Sequence, residues 1–187
     1  MYANTSGSEN VAIGRQALRY NTSASNNIAV GFQSLLSNTT GHSNTAIGTK
    51  SMYTNTTGEH NISIGHNTLY YNTTGHYNVS VGSYAGKNTT TGHGNVYMGY
   101  ATGHNTTTGG YNTAIGNESL RLTTTGNYNT ALGQQALYNN VSNTGNVAIG
   151  YRSLYNQSAQ SYNVAVGYES QYNLSLIHIS EPTRLVS

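Results

Sequence analysis

The chain contains no Cys, no Trp and no Asp, and has one Pro and one Phe among 187 residues. Without Cys, neither a disulfide framework nor a thiolate metal site can form. Without Asp, a Ser-His-Asp constellation lacks a member. The carboxylates, Glu9, Glu59, Glu118, Glu169 and Glu181, are spread along the chain and suggest no catalytic pair. Charge of either sign is scarce: 6% of residues are Asp, Glu, Lys or Arg, against roughly 25% in an ordinary soluble chain. Uncharged polar groups must supply solubility. The net charge of +2 comes from scattered Arg and Lys, with no basic run of the kind that tracks a phosphate backbone. No stretch approaches the ~20 apolar residues of a membrane-spanning helix, and the N-terminus lacks the charged-then-apolar order of a signal peptide. Phosphate-binding loops, zincin motifs and nucleotide fingerprints do not occur. The expectation is a chain that is not an enzyme, uses no cofactor or metal, binds no nucleic acid and inserts in no membrane.

Asn, Thr, Gly and Tyr are abundant instead, and they are periodic. Asn recurs at 10, 27, 44, 61, 78, 95, 112, 129, 146 and 163, each step being 17 residues. Gly recurs four residues later, at Gly14, Gly31, Gly48, Gly65, Gly82, Gly99, Gly116, Gly133, Gly150 and Gly167. With that Asn as slot 1, the unit reads Asn, a β-branched residue, Ala, Ile or Val, Gly, two variable residues, Ala or Ser, Leu, two variable residues, then Asn-Thr-Thr-Gly and two more. Asn146 to Ser161, NVAIGYRSLYNQSAQS, shows its first half. Residues 1–173 are read as one tandem-repeat solenoid, truncated at both ends. Leu174 to Arg184, LSLIHISEPTR, breaks the pattern and resembles one frame of a transposase adapter used in short-read library preparation, so 174–187 are read as a non-native tail.

Side chains alternate along a strand, so slots 2 and 4 share a face. Slot 4 is large and apolar throughout: Ile13, Val30, Ile47, Ile64, Val81, Met98, Ile115, Leu132, Ile149 and Val166. We expect these side chains in the core, with Leu18, Leu35, Met52, Leu69, Leu120, Leu137 and Leu154 of slot 9 as the second core contact. The slot 5 glycines permit a sharp corner after the strand, and the NTTG run supplies turn chemistry. The stretch around slot 9 reads equally as a bend or a single helical turn. One unit buries too few apolar groups to offset ~1–2 kcal/mol of ordering entropy per residue, so units must stack. Stacking at ~4.8 Å gives an all-β solenoid, a parallel β-roll or β-helix of 17-residue coils, roughly 50 Å long over ten registers. Helical repeats need longer units. One variation bears on the interior: slot 3 is Ala or Ser except at Tyr97, and slot 9 becomes Gly at Gly86 and Gly103. A ring entering where neighbours shrink is volume conservation in a shared core, which places slots 3 and 9 in a common interior.

The strings NTAIG, NVAIG and YNTTG, over residues 1–173, resemble the shaft repeats of phage and bacterial tail-fibre proteins of the type that carries a C-terminal self-cleaving chaperone domain. More distantly they are similar to the head repeats of trimeric autotransporter adhesins, whose unit is shorter and lacks the NTTG turn. The resemblance implies a homotrimeric, elongated fibre segment, extracellular on a cell surface or virion, with a structural or adhesive role and a cell-surface glycan as partner. The alternative is a monomeric solenoid that binds carbohydrate or ice. Tyr70, Tyr138 and Tyr155 share slot 10, and Tyr77, Tyr111, Tyr128 and Tyr162 share slot 17; these are the candidate ligand-facing ladders, since aromatic rings offer sugars a large apolar face with a polar tip. Thr39, Thr56, Thr73, Thr90, Thr107 and Thr124 form the row an ice-binding reading would use. His42, His76 and His93 share slot 16 and are read as turn residues. Asn38-Thr39-Thr40 and Asn72-Thr73-Thr74 match the N-glycosylation acceptor and also suit the turn.

Overall fold

In the computed structural model, which describes residues 2–157 and 160–173, each 17-residue unit makes one circuit of a solenoid. The adapter-like tail lies outside the described residues. Ten three-residue strands recur at a spacing of 17: β1 (Val11–Ile13), β2 (Ile28–Val30), β3 (Thr45–Ile47), β4 (Ile62–Ile64), β5 (Val79–Val81), β6 (Val96–Met98), β7 (Thr113–Ile115), β8 (Thr130–Leu132), β9 (Val147–Ile149) and β10 (Val164–Val166). They form one parallel sheet in chain order. Identical slots pair: Val11 with Ile28, Ala12 with Ala29 and Ile13 with Val30, and so on to Val147 with Val164.

Slot 5 ends every strand with φ between 120° at Gly14 and 140° at Gly65, a region that side chains rarely enter. A Cβ on Gly31 would also stand 2.5 Å from the Gly48 carbonyl oxygen of the next coil. The rest of the coil is turns, not a helical turn. Ala17 N–H donates to the Gly14 carbonyl at 3.3 Å and Asn21 N–H to the Leu18 carbonyl at 3.4 Å. Slots 7, 9 and 17 are left-handed even where they are not Gly, as at Gln33 (φ 57°), Leu35 (φ 48°) and Tyr111 (φ 57°). Each such residue costs ~1–2 kcal/mol in isolation. Bonds between coils hold it in place: Leu35 N–H donates to the Ser51 carbonyl at 3.0 Å and Gln33 N–H to the Arg15 carbonyl at 3.0 Å.

The interior is lined by slots 3 and 9. Ala29, Ala46, Ala114, Ala131 and Ala148 are buried completely, as are Leu18, Leu35, Met52, Leu69, Leu120, Leu137 and Leu154, so the slot 9 core expected from the sequence is present. The slot 4 core is not. Ile13, Ile47, Ile64, Met98, Ile115, Ile149 and Val166 are exposed, and Val30, Val81 and Leu132 are only half-buried. Slots 2 and 4 do share a face, but it is the outer one. The cause is room: a three-residue strand opposite a column of Leu leaves space inside for one small side chain per coil, and alternation then sends its two neighbours outward.

Two Asn columns fill the polar part of the interior. At slot 1, the Asn95 carboxamide donates to Asn78 Oδ1 at 3.1 Å and to the Gly109 carbonyl at 2.9 Å, while its Oδ1 accepts the Asn112 backbone N–H at 2.9 Å. Neighbouring coils repeat this arrangement. At slot 12, Asn38, Asn55 and Asn72 each donate to the Asn of the preceding coil at 3.2, 2.8 and 2.7 Å. Asn recurs because a buried side chain that donates and accepts at once can satisfy its own groups and stray backbone groups together.

Candidate functional site

The outer face of the sheet is an uncovered aliphatic surface. Slots 2 and 4 form two columns of Val, Ile, Thr, Met and Leu running from β1 to β10, with Ile47 at 39%, Ile64 at 37% and Ile115 at 41% exposure. Ten strands at ~4.8 Å, with two columns and their side-chain width, give a strip roughly 45 Å by 10 Å, on the order of the few hundred Å² above which an apolar patch marks an interaction surface. All-parallel sheets are ordinarily covered on both faces; this one has its inner face covered and its outer face bare.

The aromatic candidates fall on two separate tracks. On the first, formed by slots 6, 7 and 10, Tyr53 stacks on Tyr70 (4.9 Å between ring centres, 9° between planes), Tyr138 on Tyr155 (5.0 Å, 15°) and Tyr155 on Tyr172 (4.9 Å, 4°). Partial burial raises the Tyr70 phenol above its ordinary pKa, with Tyr53 and Tyr71 adding to the effect. Tyr155 is raised by burial and by Tyr138 and Tyr172, against a lowering from Arg152. On the second track, slots 16 and 17, Tyr77 stacks on His60 (5.2 Å, 8°) and Tyr111 on Tyr128 (5.2 Å, 3°), while Tyr162 leans over Gly145. Parallel rings this close turn their faces onto each other, so these columns present ring edges and hydroxyls to solvent more than flat faces.

The slot 13 hydroxyls are used inside the coil stack: Thr39, Thr56, Thr73, Thr90 and Thr107 each donate to the slot 13 carbonyl of the next coil at 3.0–3.1 Å. The exposed Thr column is the adjoining slot 14, Thr40, Thr57, Thr74, Thr91, Thr108 and Thr125. His76 and His93 stack at 5.2 Å, and His42 Nδ1 accepts the Ser25 backbone N–H at 3.0 Å. Among the described residues no group of three or more His, Asp or Glu is placed to hold a metal ion, and no helix is long and apolar enough to cross a membrane. The acceptor triplets at Asn38, Asn55 and Asn72 have completely buried carboxamides, which leaves no room for a glycan in the folded coil.

Sequence reasoning missed the aliphatic face and the slot 7 residues of the first track. The signal for the face was present. Tyr97 and its glycines place slot 3 inside, and period-two alternation then requires slots 2 and 4 to be outside. In class, the chain is a parallel β-solenoid of in-register coils. No protein-family model matches it, and neither does any curated protein or solved structure.

Proposed function

We propose that this chain is a non-enzymatic shaft segment of a homotrimeric fibre, exposed at a cell surface or on a virion, in which the aliphatic faces of three copies meet along a common axis. The observation that carries the reading is the bare outer face of an all-parallel sheet, repeated coil after coil. The face carries two aliphatic columns, slots 2 and 4, so each chain can set one column against the other column of its neighbour, and a three-fold rotation closes that head-to-tail contact. The area buried grows with the number of coils, so a rod of this design gains association strength with length. Left-handed turns and Asn columns give rigidity without charge, which suits a spacer.

Multi-angle light scattering of the full chain tests this reading. A mass of three chains is expected, and Ile47→Glu, Ile64→Glu and Ile115→Glu together should reduce it to one chain with the far-ultraviolet dichroism unchanged. A wild-type chain that runs as a folded monomer, or a triple variant that stays trimeric, overturns it.

A further inference from the structure

The cations of this charge-poor chain are not scattered in space. Of seven Lys and Arg residues, the six within the described range all fall in slots 6, 7 and 10: Arg15, Arg19, Lys50, Lys87, Arg121 and Arg152. Each lies over an aromatic ring of the same track, as Lys50 over Tyr53 at 5.8 Å, Lys87 over Tyr84 at 5.7 Å and Arg152 over Tyr151 at 5.0 Å. The carboxylates on this track are Glu118, which pairs with Arg121 and accepts from Gln135, and Glu169, 3.9 Å from Arg152. Glu9 and Glu59 belong to slots 17 and 16, on the other track.

The cations also alternate. They occupy the coils that begin at Asn10, Asn44, Asn78, Asn112 and Asn146, and none lies in the coils between. In-register stacking accounts for part of this, because like charges in adjacent coils would stand ~4.8 Å apart and repel. It does not account for all six sharing one edge. The result is a cation in every second coil, about 9.6 Å apart along the axis, with Glu118 and Glu169 beside Arg121 and Arg152, on a rim of tyrosine hydroxyls and slot 11 carboxamides such as Asn139 and Asn156.

At one place the spacing tightens. Slot 10 carries Lys87, His104 and Arg121 in three consecutive coils, and these line a shallow pocket of about 180 Å³ with Tyr84, Tyr100 and Ala101. His104 is partly buried there, its Nδ1 2.8 Å from Asn105 Oδ1. Burial lowers its pKa first, and Lys87 and Arg121 lower it further. Lys87 and Arg121 stand in one column two coils apart with the neutral His104 ring between them, and an anion entering this pocket would meet both cations.

We propose that the slot 6, 7 and 10 edge binds an acidic polysaccharide lying along the solenoid axis, with one anionic group per pair of sugars in step with alternate coils and its firmest hold at Lys87, His104 and Arg121. The ring faces are largely turned onto one another, so recognition is by charge and by hydrogen bonds from hydroxyls and carboxamides. The inference gives the proposed shaft a ligand and rests on that reading only in requiring this edge to stay uncovered when the aliphatic faces meet.

Binding of the full chain to immobilised hyaluronate, which bears a carboxylate on every second sugar, tests it, with neutral dextran and random-sequence duplex DNA as comparisons and light scattering of the same samples reporting oligomeric state separately. Hyaluronate should bind, weakening as salt shortens the screening length, and dextran should not. Lys87→Gln with Arg121→Gln should weaken binding about tenfold or more, equivalent to ~1.4 kcal/mol. Tyr128→Ala on the other track should leave it unchanged, and thermal unfolding of the double variant should match wild type. Equal binding to dextran, no binding to hyaluronate, an unaffected double variant, or tighter binding to DNA than to hyaluronate would each overturn the proposal, whichever oligomer is found.

Discussion

Tyr97 Cδ2 stands 2.8 Å from the point where a Cβ on Gly86 would lie, so the ring and a side chain at that position exclude each other. The same ring crowds Gly103 from the other side. Slot 9 does not need Gly for its backbone: φ is 56° at Gly86 and 58° at Gly103, and Leu69 and Leu120 accept 46° and 53° in the adjoining coils. The glycines are there for volume. Tyr97→Ala alone should cost about 3–5 kcal/mol, and Gly103→Leu alone about 1–3 kcal/mol by overpacking. Tyr97→Ala with Gly86→Leu and Gly103→Leu restores the consensus interior and should return the urea midpoint to near wild type, with an unchanged m-value. Additive losses in the triple variant would refute the exchange.

The slot 1 Asn column predicts a contrast between two asparagines. Asn95 is completely buried and joined to the coils on both sides. Asn95→Ala leaves several buried groups without partners, at about 1–3 kcal/mol each. Asn139 of slot 11 is half-buried and its side chain donates to Asn156 Oδ1; its replacement by Ala, which keeps the backbone bond to the Tyr155 carbonyl, should cost under about 1 kcal/mol. Chemical unfolding of the two variants side by side decides the matter, and equal losses would mean that the column is incidental.

Inside and outside can be told apart by aliphatic truncation. Leu120 is fully buried and Ile115 is 41% exposed. Leu120→Ala should lower stability by about 2–5 kcal/mol. Ile115→Thr should change the stability of a dissociated chain by no more than about 0.5 kcal/mol, as surface substitutions do. If chain-concentration series show that Ile115→Thr weakens association and little else, the outer face is a contact surface.

His104 gives a pH dependence of known sign. Its pKa lies below the ordinary 6.5, mainly through burial and further through Lys87 and Arg121, with Asn105 opposing. The folded chain therefore favours the neutral ring. Its contribution to stability is complete above the ordinary value and is lost as pH falls through that value toward the lowered one. Thermal midpoints of the wild type should drop across that interval more than those of His104→Asn, and parallel curves would remove the effect.

The repeat, the strand positions, the corner glycines and the slot 9 core were all legible in the sequence, because each is a local requirement imposed again in every coil. The outer face was not read correctly, because apolar character was taken to mean burial. Ile47 and Ile64 are as hydrophobic as Leu35, and only the space available behind the strand sends them outward. The charged edge was also hidden. Lys50 and Arg152 sit in slot 7 while Lys87 and Arg121 sit in slot 10, and a list of slots does not show that a turn with left-handed residues brings the two slots to one side.

By itself the sequence determined that this protein is a stack of identical circuits, since a strict 17-residue period leaves each unit only its own copies to pack against. The tertiary structure alone decided which way each slot faces. Facing depends on how much volume one coil can enclose, and that is set by the Leu and Asn columns opposite the strand, which no single unit contains.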